Sequence, residues 1–153
     1  MPGPLPEVAA GHPVPRQGAI AEREAWHRLV ICGRPEQVGV ARAFVRQVLG
    51  AGHPGIERVT LLTSELVTNS VSHSDSRLDG GTITVTVRAA ADRVRVEVTD
   101  GGGPTAPALC CDDDLADGGR GLRLVEAYSL MWDYYRDGTR TVTWFECEPE
   151  PLA

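Results

Sequence analysis

The stretch SELVTNSVSH at residues 64–73 decides the fold of this chain. Within it, Glu65, Asn69 and His73 follow one another at intervals of four, so on a helix they lie one above the other on a single face. A carboxylate one turn from a carboxamide offers a base and a hard oxygen ligand, which suits a hydrated Mg²⁺ ion and the phosphates that it carries. The alternative is a half-exposed helix whose polar residues simply face solvent, and the stretch alone does not exclude it.

The helix around this stretch is expected to run from about Ile56 to His73. Val59, Leu62 and Leu66 fall on a face different from that of the polar residues, at the spacing of an apolar stripe that packs on a core. The sequence therefore predicts an amphipathic helix with a buried face and a polar face.

Working outward from this helix, the hydrophobic periodicity predicts five strands and two further helices. Valine or isoleucine at alternate positions of residues 82–88 and 93–99 gives each strand one buried face, and the two strands form a hairpin. Because helices and strands do not alternate one for one, the order predicts an α+β fold. We expect a two-layer α/β sandwich, in which a mostly antiparallel sheet has three helices on one face. The remaining predicted elements are a strand at 26–32, a helix from 35 to 49, a helix ending at about 128, and strands at 131–136 and 141–147.

The composition predicts one globular domain at residues 25–148, preceded by a flexible Pro- and Gly-rich leader (1–24) and followed by a frayed tail (149–153). The net charge of −6 argues against direct binding to nucleic acid or to anionic membranes. No apolar run is long enough to cross a membrane or to resemble a signal peptide, so a cytoplasmic location is expected. Cys32 and Cys147 lie in predicted strands and are expected to be small buried hydrophobic residues.

Two glycine clusters add chemistry to the polar face of the helix. Asp100 ends a predicted strand and could accept a hydrogen bond from an amino group in a fixed plane, such as the edge of adenine, while Gly102 would let a ring approach the backbone. Gly119 and Gly121 would expose backbone N–H groups at a helix N-terminus, where phosphate is favoured. The chain has no lysine, so phosphate would be held by arginine or by backbone N–H groups.

In this order and spacing, the three features resemble the N, G1 and G2 boxes of the GHKL (Bergerat-fold) ATPase superfamily. The matching residues are ELVTNSVSH at 65–73, DGG at 100–102 and GRGL at 119–122. The resemblance covers roughly residues 26–147, and the short form looks most like the anti-sigma factor serine kinases.

By this resemblance, Asn69 would bind Mg²⁺, Glu65 would be the general base, and His73 would cap the helix near the nucleotide. The alternative for His73 is a helix-end histidine with a structural hydrogen bond. Asp100 would read the adenine amino group of ATP, and Gly102 would line the ring. The nucleotide would also meet residues of the third motif and of the last strand. These are Gly119, Arg120, Gly121 and Leu122 near the phosphates, and Thr141, or Thr139 in its place, on the adenine side.

The resemblance also implies a biological role. Residues 104–117 would form an ATP lid, the phosphoryl acceptor would be a serine of an anti-anti-sigma protein, and the other partner would be a sigma factor. The leading interpretation is an ATP-dependent serine/threonine-protein kinase that regulates transcription as an anti-sigma factor. The alternative is a regulatory binding module of the same fold, with or without ATP, that has no kinase activity. Both a monomer and a homodimer remain open.

Overall fold

The computed structural model describes residues 26–78, 80–103 and 119–152 of the 153-residue chain. The predicted leader and lid lie outside the described residues. Short 3-10 turns occupy Pro35–Gln37 and Asp75–Arg77. The helices and strands are β1 (His27–Cys32), α1 (Val38–Leu49), α2 (Ile56–His73), β2 (Thr82–Ala89), β3 (Val94–Asp100), α3 (Gly119–Tyr128), β4 (Met131–Asp137) and β5 (Arg140–Cys147).

The strands form one five-stranded sheet in the order β1-β2-β3-β5-β4, and every pair in it is antiparallel. The helices pack on one side, with α2 between α1 and α3 and against β3. The predicted α+β sandwich is therefore confirmed. In the β3–β5 ladder, Asp100 pairs with Thr141, so these two residues lie side by side at one end of the sheet.

The apolar stripe of α2 supplies much of the contact between the two layers. Val59 and Leu62 are fully buried and Leu66 is 2% exposed, so the predicted stripe is confirmed. They meet the inward valines of β2 and β3 in one hydrophobic cluster. Each such side chain stabilises the fold by about 1.5–3 kcal/mol through removal of its apolar surface from water. The stripe thereby fixes the rotation of α2, and with it the direction of the polar face.

The opposite face of the sheet is less open than strict alternation of buried and solvated residues predicts. Arg95 faces away from the helices, yet it is only 5% exposed, because its guanidinium stacks 3.9 Å from the ring centroid of Trp144. Glu97 and Glu146 accept hydrogen bonds from this guanidinium at 3.0 and 3.4 Å. The aromatic stacking and the two carboxylates together compensate for burying the charge.

Cys32 is exposed, so the prediction that it is buried was wrong. It ends the edge strand β1 and alternates with Ile31, which faces the core and is 4% exposed. Cys147 lies at the end of β5 next to the core, and burial raises the pKa of its thiol to about 12. The C-terminal tail makes a contact that fraying would not provide, because Arg58 donates a hydrogen bond to the carbonyl of Pro151 at 3.0 Å.

Candidate functional site

The exposure of the polar face of α2 is greatest at the C-terminal end of the helix. Glu65 and Asn69 are half-buried, and His73 is exposed at the last residue of the helix. Burial raises the pKa of the Glu65 carboxyl above its ordinary value. Because a carboxylate with a higher pKa binds a proton more strongly, this environment favours Glu65 as a base.

Asp100 is the last residue of β3 and is 7% exposed, although it carries a carboxylate. Ser70 Oγ donates to its Oδ2 at 2.6 Å, and the backbone N–H of Gly102 donates to its Oδ1 at 2.8 Å. Burial raises the pKa of Asp100, whereas these two hydrogen bonds and the charge of Arg136 oppose part of the rise. The carboxylate is thus held at both oxygens, with lone pairs left to accept from a further donor.

The hydrogen bond from Ser70 joins two of the sequence motifs. Ser70 follows Asn69 in α2, and it is 3% exposed because it faces the sheet. One helix therefore presents Glu65 and Asn69 on its polar face. The same helix holds the carboxylate of Asp100 through Ser70. A buried hydrogen bond therefore joins the strand-end aspartate to the helix motif.

The turn after Asp100 is clamped from two sides. The N–H of Asp75 donates to the carbonyl of Gly102 at 2.7 Å, and Arg136 donates to the carbonyl of Gly103 at 3.1 Å. Gly102 has φ +75°, and a Cβ there would lie 2.1 Å from the carbonyl oxygen of Thr139. The structure thus gives a reason for this glycine that the sequence did not show, besides the predicted approach of a ring. The close neighbour in the Cβ direction is the β4–β5 hairpin.

A turn rich in serine, which the sequence reasoning did not identify, supports this unit. Ser74 Oγ donates to the carbonyl of Ser70 at 2.6 Å and accepts from the N–H of Ser76 at 3.1 Å. Ser76 Oγ accepts from the N–H of Gly101 at 2.7 Å and donates to the carbonyl of Thr82 at 2.7 Å. The signal in the sequence is serine at alternate positions of residues 70–76, since short hydroxyl side chains after a helix typically bond to nearby backbone.

The structure distinguishes between the two threonines that were considered for the adenine side of the last strand. Thr141 pairs with Asp100, faces the helices and is 3% exposed. Thr139 belongs to the hairpin turn, where its carbonyl lies against Gly102. Thr141 is therefore the threonine beside the buried carboxylate.

The third motif lies at the start of α3. Gly119 is the first residue of this helix, so Arg120 and Gly121 belong to its first turn. The N–H groups of a first turn have no partner within the helix and can bind an anion. Leu122 is 2% exposed and packs in the core, so a nucleotide would meet its backbone rather than its side chain.

Two broader properties of the described residues bear on function. None of their helices has the length and hydropathy to cross a membrane. Across residues 26–78, 80–103 and 119–152, no group of three or more His, Cys, Asp and Glu side chains is arranged to hold a metal ion.

This fold and motif arrangement define a class of protein. The chain belongs to the family of histidine kinase-like ATPase domains, which matches residues 31–146. The resemblance to GHKL ATPases drawn from the three motifs is confirmed.

Three serine-protein kinases are similar to the chain over most of their length. It is 32% identical to the serine-protein kinase RsbW of Bacillus velezensis over 63% of the chain and 69% of that protein. The corresponding figures are 31%, 61% and 67% for RsbW of Bacillus subtilis, and 30%, 61% and 68% for RsbW of Oceanobacillus iheyensis.

A solved structure shares the fold. It contains the RsbU and RsbW domains of a Mycobacterium tuberculosis protein and superposes with a TM-score of 0.52 at 21% identity. The match covers 83% of this chain and 34% of that protein, so the chain spans about a third of the larger structure.

Proposed function

We propose that this protein is a cytoplasmic, ATP-binding serine-protein kinase that acts as an anti-sigma factor. It sequesters a sigma factor and phosphorylates an anti-anti-sigma protein on serine. The observation that carries the proposal is the hydrogen bond from Ser70 to Asp100, because it joins an acceptor suited to adenine to the helix that bears Glu65 and Asn69. The similarity to serine-protein kinases named RsbW supports the same conclusion.

Asp100 is the residue proposed to recognise the base. An ionised carboxylate only accepts hydrogen bonds, and adenine offers a donor in its 6-amino group. The carboxylate is fixed at both oxygens, so its free lone pairs keep a constant direction. Thr141 pairs with it in the sheet and Gly102 donates a hydrogen bond to it, and both would complete the adenine end of the site.

Asn69 is proposed to hold Mg²⁺, and the first turn of α3 the phosphates. Mg²⁺ keeps several waters and binds phosphate oxygens, so one amide oxygen from the protein fits it. Bound there, the ion would neutralise charge on the triphosphate. Gly119, Arg120 and Gly121 would contribute backbone N–H groups and one positive charge, and His73 would border the nucleotide at the end of α2.

Glu65 is proposed as the general base. Its raised pKa strengthens it as a proton acceptor, and its position one turn before Asn69 puts the base next to the proposed metal ligand. Its role is to accept the proton of the acceptor serine hydroxyl. The contribution expected from such a base is about 10²–10⁴-fold in rate.

The test uses the wild type, Glu65→Ala and Asn69→Ala, each incubated with ATP, Mg²⁺ and a candidate anti-anti-sigma protein. Intact mass of the acceptor measures phosphoryl transfer, calorimetry measures ATP affinity, and a pull-down measures binding of the sigma factor. Asn69→Ala should weaken Mg²⁺-dependent ATP binding. Glu65→Ala should retain ATP and sigma-factor binding but lose most of the transfer rate.

A matched control is Glu57→Ala, which removes a carboxylate from the same helix. Glu57 is exposed, and its ion pair with Arg46 contributes little to stability, so this variant should behave like the wild type. Transfer at the wild-type rate by Glu65→Ala would exclude its role as base. A wild type that binds both partners but never transfers phosphate would instead establish the regulatory binding module without kinase activity.

A further inference from the structure

The buried contact between Ser70 and Asp100 bears on which nucleobase the site selects. Ser70 Oγ lies 2.6 Å from Asp100 Oδ2, and both residues are less than a tenth exposed. The short distance between Oγ and Oδ2 is typical of a hydroxyl that donates to an ionised carboxylate. The other carboxylate oxygen accepts from Gly102, so rotation of the carboxylate would break a buried hydrogen bond on either side.

We propose that Ser70 is a positioning residue that sets the specificity of this site for adenine over guanine by holding Asp100 as an oriented, acceptor-only carboxylate. The inference rests on the proposed function, because it assigns a nucleobase preference to the same site. Ser70 bonds to the carboxylate and is 3% exposed, so it acts through Asp100.

The chemistry of the two bases explains the selectivity. Adenine has an amino donor at position 6, whereas guanine has a carbonyl acceptor there. A carboxylate repels the guanine oxygen and accepts from the adenine amino group. A protonated carboxyl group could instead donate to guanine, and burial favours protonation. Donation from Ser70 favours the charged form and so preserves the discrimination.

The serine-rich turn makes this arrangement rigid. Ser74 bonds to the carbonyl of Ser70, and Ser76 fixes the N–H of Gly101 immediately after Asp100. The end of α2 and the end of β3 are therefore tied together on both sides of the contact. These bonds hold the hydroxyl in position, and a site that is held in position costs less to order on binding.

The test compares ATP and GTP affinities of the wild type, Ser70→Ala, Ser70→Cys and Ser74→Ala by calorimetry. Ser70→Ala should bind ATP about tenfold more weakly, since a hydrogen bond to a charged group is lost, and its ATP-to-GTP affinity ratio should fall by a similar factor. Ser70→Cys keeps nearly the same volume with a weaker donor, so its ratio should be intermediate. Ser74→Ala removes a buried serine of the same turn without touching the carboxylate; it should lower stability and change the ratio much less than Ser70→Ala does.

Each result decides a different point. An unchanged ratio in both Ser70 variants would overturn the inference and leave the proposed function standing. An equal fall of the ratio in Ser74→Ala would also overturn it, since the effect would then be structural. A wild type that binds neither nucleotide would overturn the proposed function instead.

In that last case, the contact itself is tested without a ligand, by titrating the Asp100 carboxyl carbon by NMR. Arg136 and Asp75, the charged groups that influence Asp100, are the same in every variant. A higher pKa of Asp100 in Ser70→Ala than in the wild type would support the hold of Ser70 on the carboxylate. Identical titration curves would overturn it.

Discussion

Replacing Gly102 with alanine should damage the fold far more than the small size of the added methyl group suggests. The residue has φ +75°, where a side chain with a Cβ costs about 1–2 kcal/mol. Its Cβ would also lie 2.1 Å from the carbonyl oxygen of Thr139, and relieving such an overlap costs about 1–3 kcal/mol more. Together, these terms reach about 2–5 kcal/mol, against a total stability of about 5–15 kcal/mol for a typical domain.

Substitutions at two other glycines allow the conformational and the steric contributions to be measured separately. Gly138 has φ +62°, and a Cβ added to it would have no described atom within 4 Å, so Gly138→Ala should lose only the conformational term, about 1–2 kcal/mol. Gly39 lies in α1 without a positive φ and with open space around it, so Gly39→Ala should stabilise the protein by about 0.5–1 kcal/mol.

Urea unfolding monitored by tryptophan fluorescence measures all three free energies, provided that the dependence on denaturant is equal among the variants. The steric argument requires Gly102→Ala to lose clearly more stability than Gly138→Ala. Equal losses would refute it, because the contact between the turn after β3 and the β4–β5 hairpin would then be absent in solution.

Three further predictions concern charge and burial. The wild type should gain stability relative to Asp100→Asn as the pH falls through the raised pKa of Asp100, with no further gain below the ordinary value of 3.8; urea titrations at several pH values measure this. Cys32 should be alkylated in the folded protein and Cys147 only after unfolding, as peptide mapping of iodoacetamide-treated samples would report. Arg58→Ala should cost about 1–2 kcal/mol, because its two hydrogen bonds to the carbonyls of Tyr128 and Pro151 are lost, and equal stability in urea would refute that contribution.

The fold could be predicted from the sequence because it follows from local periodicity. Apolar residues at helical spacing defined α2, and strict alternation in residues 82–99 defined a hairpin with one buried face. Both patterns depend on neighbours within a few residues, so no knowledge of long-range contacts was needed.

The details of the site could not be predicted, because they depend on contacts between distant parts of the chain. The bond between Ser70 and Asp100 joins residues thirty positions apart, and only the packing of α2 on the sheet brings them together. The choice of Thr141 over Thr139 depends on the register of the β3–β5 ladder. The exposure of Cys32 likewise depends on the edge position of β1, which follows from strand order rather than from the sequence of the strand.

The most direct measurement of the central claim is calorimetric titration of ATP with Mg²⁺ into the wild type, Asp100→Asn and Asp92→Asn. Asp92→Asn makes the same change of charge at an exposed residue beyond the other end of β3 and serves as the control. Loss of the acceptor-only carboxylate should weaken ATP binding about 10- to 100-fold in Asp100→Asn, while Asp92→Asn binds like the wild type. Equal ATP affinity in all three proteins would contradict the assignment of Asp100 as the residue that reads adenine.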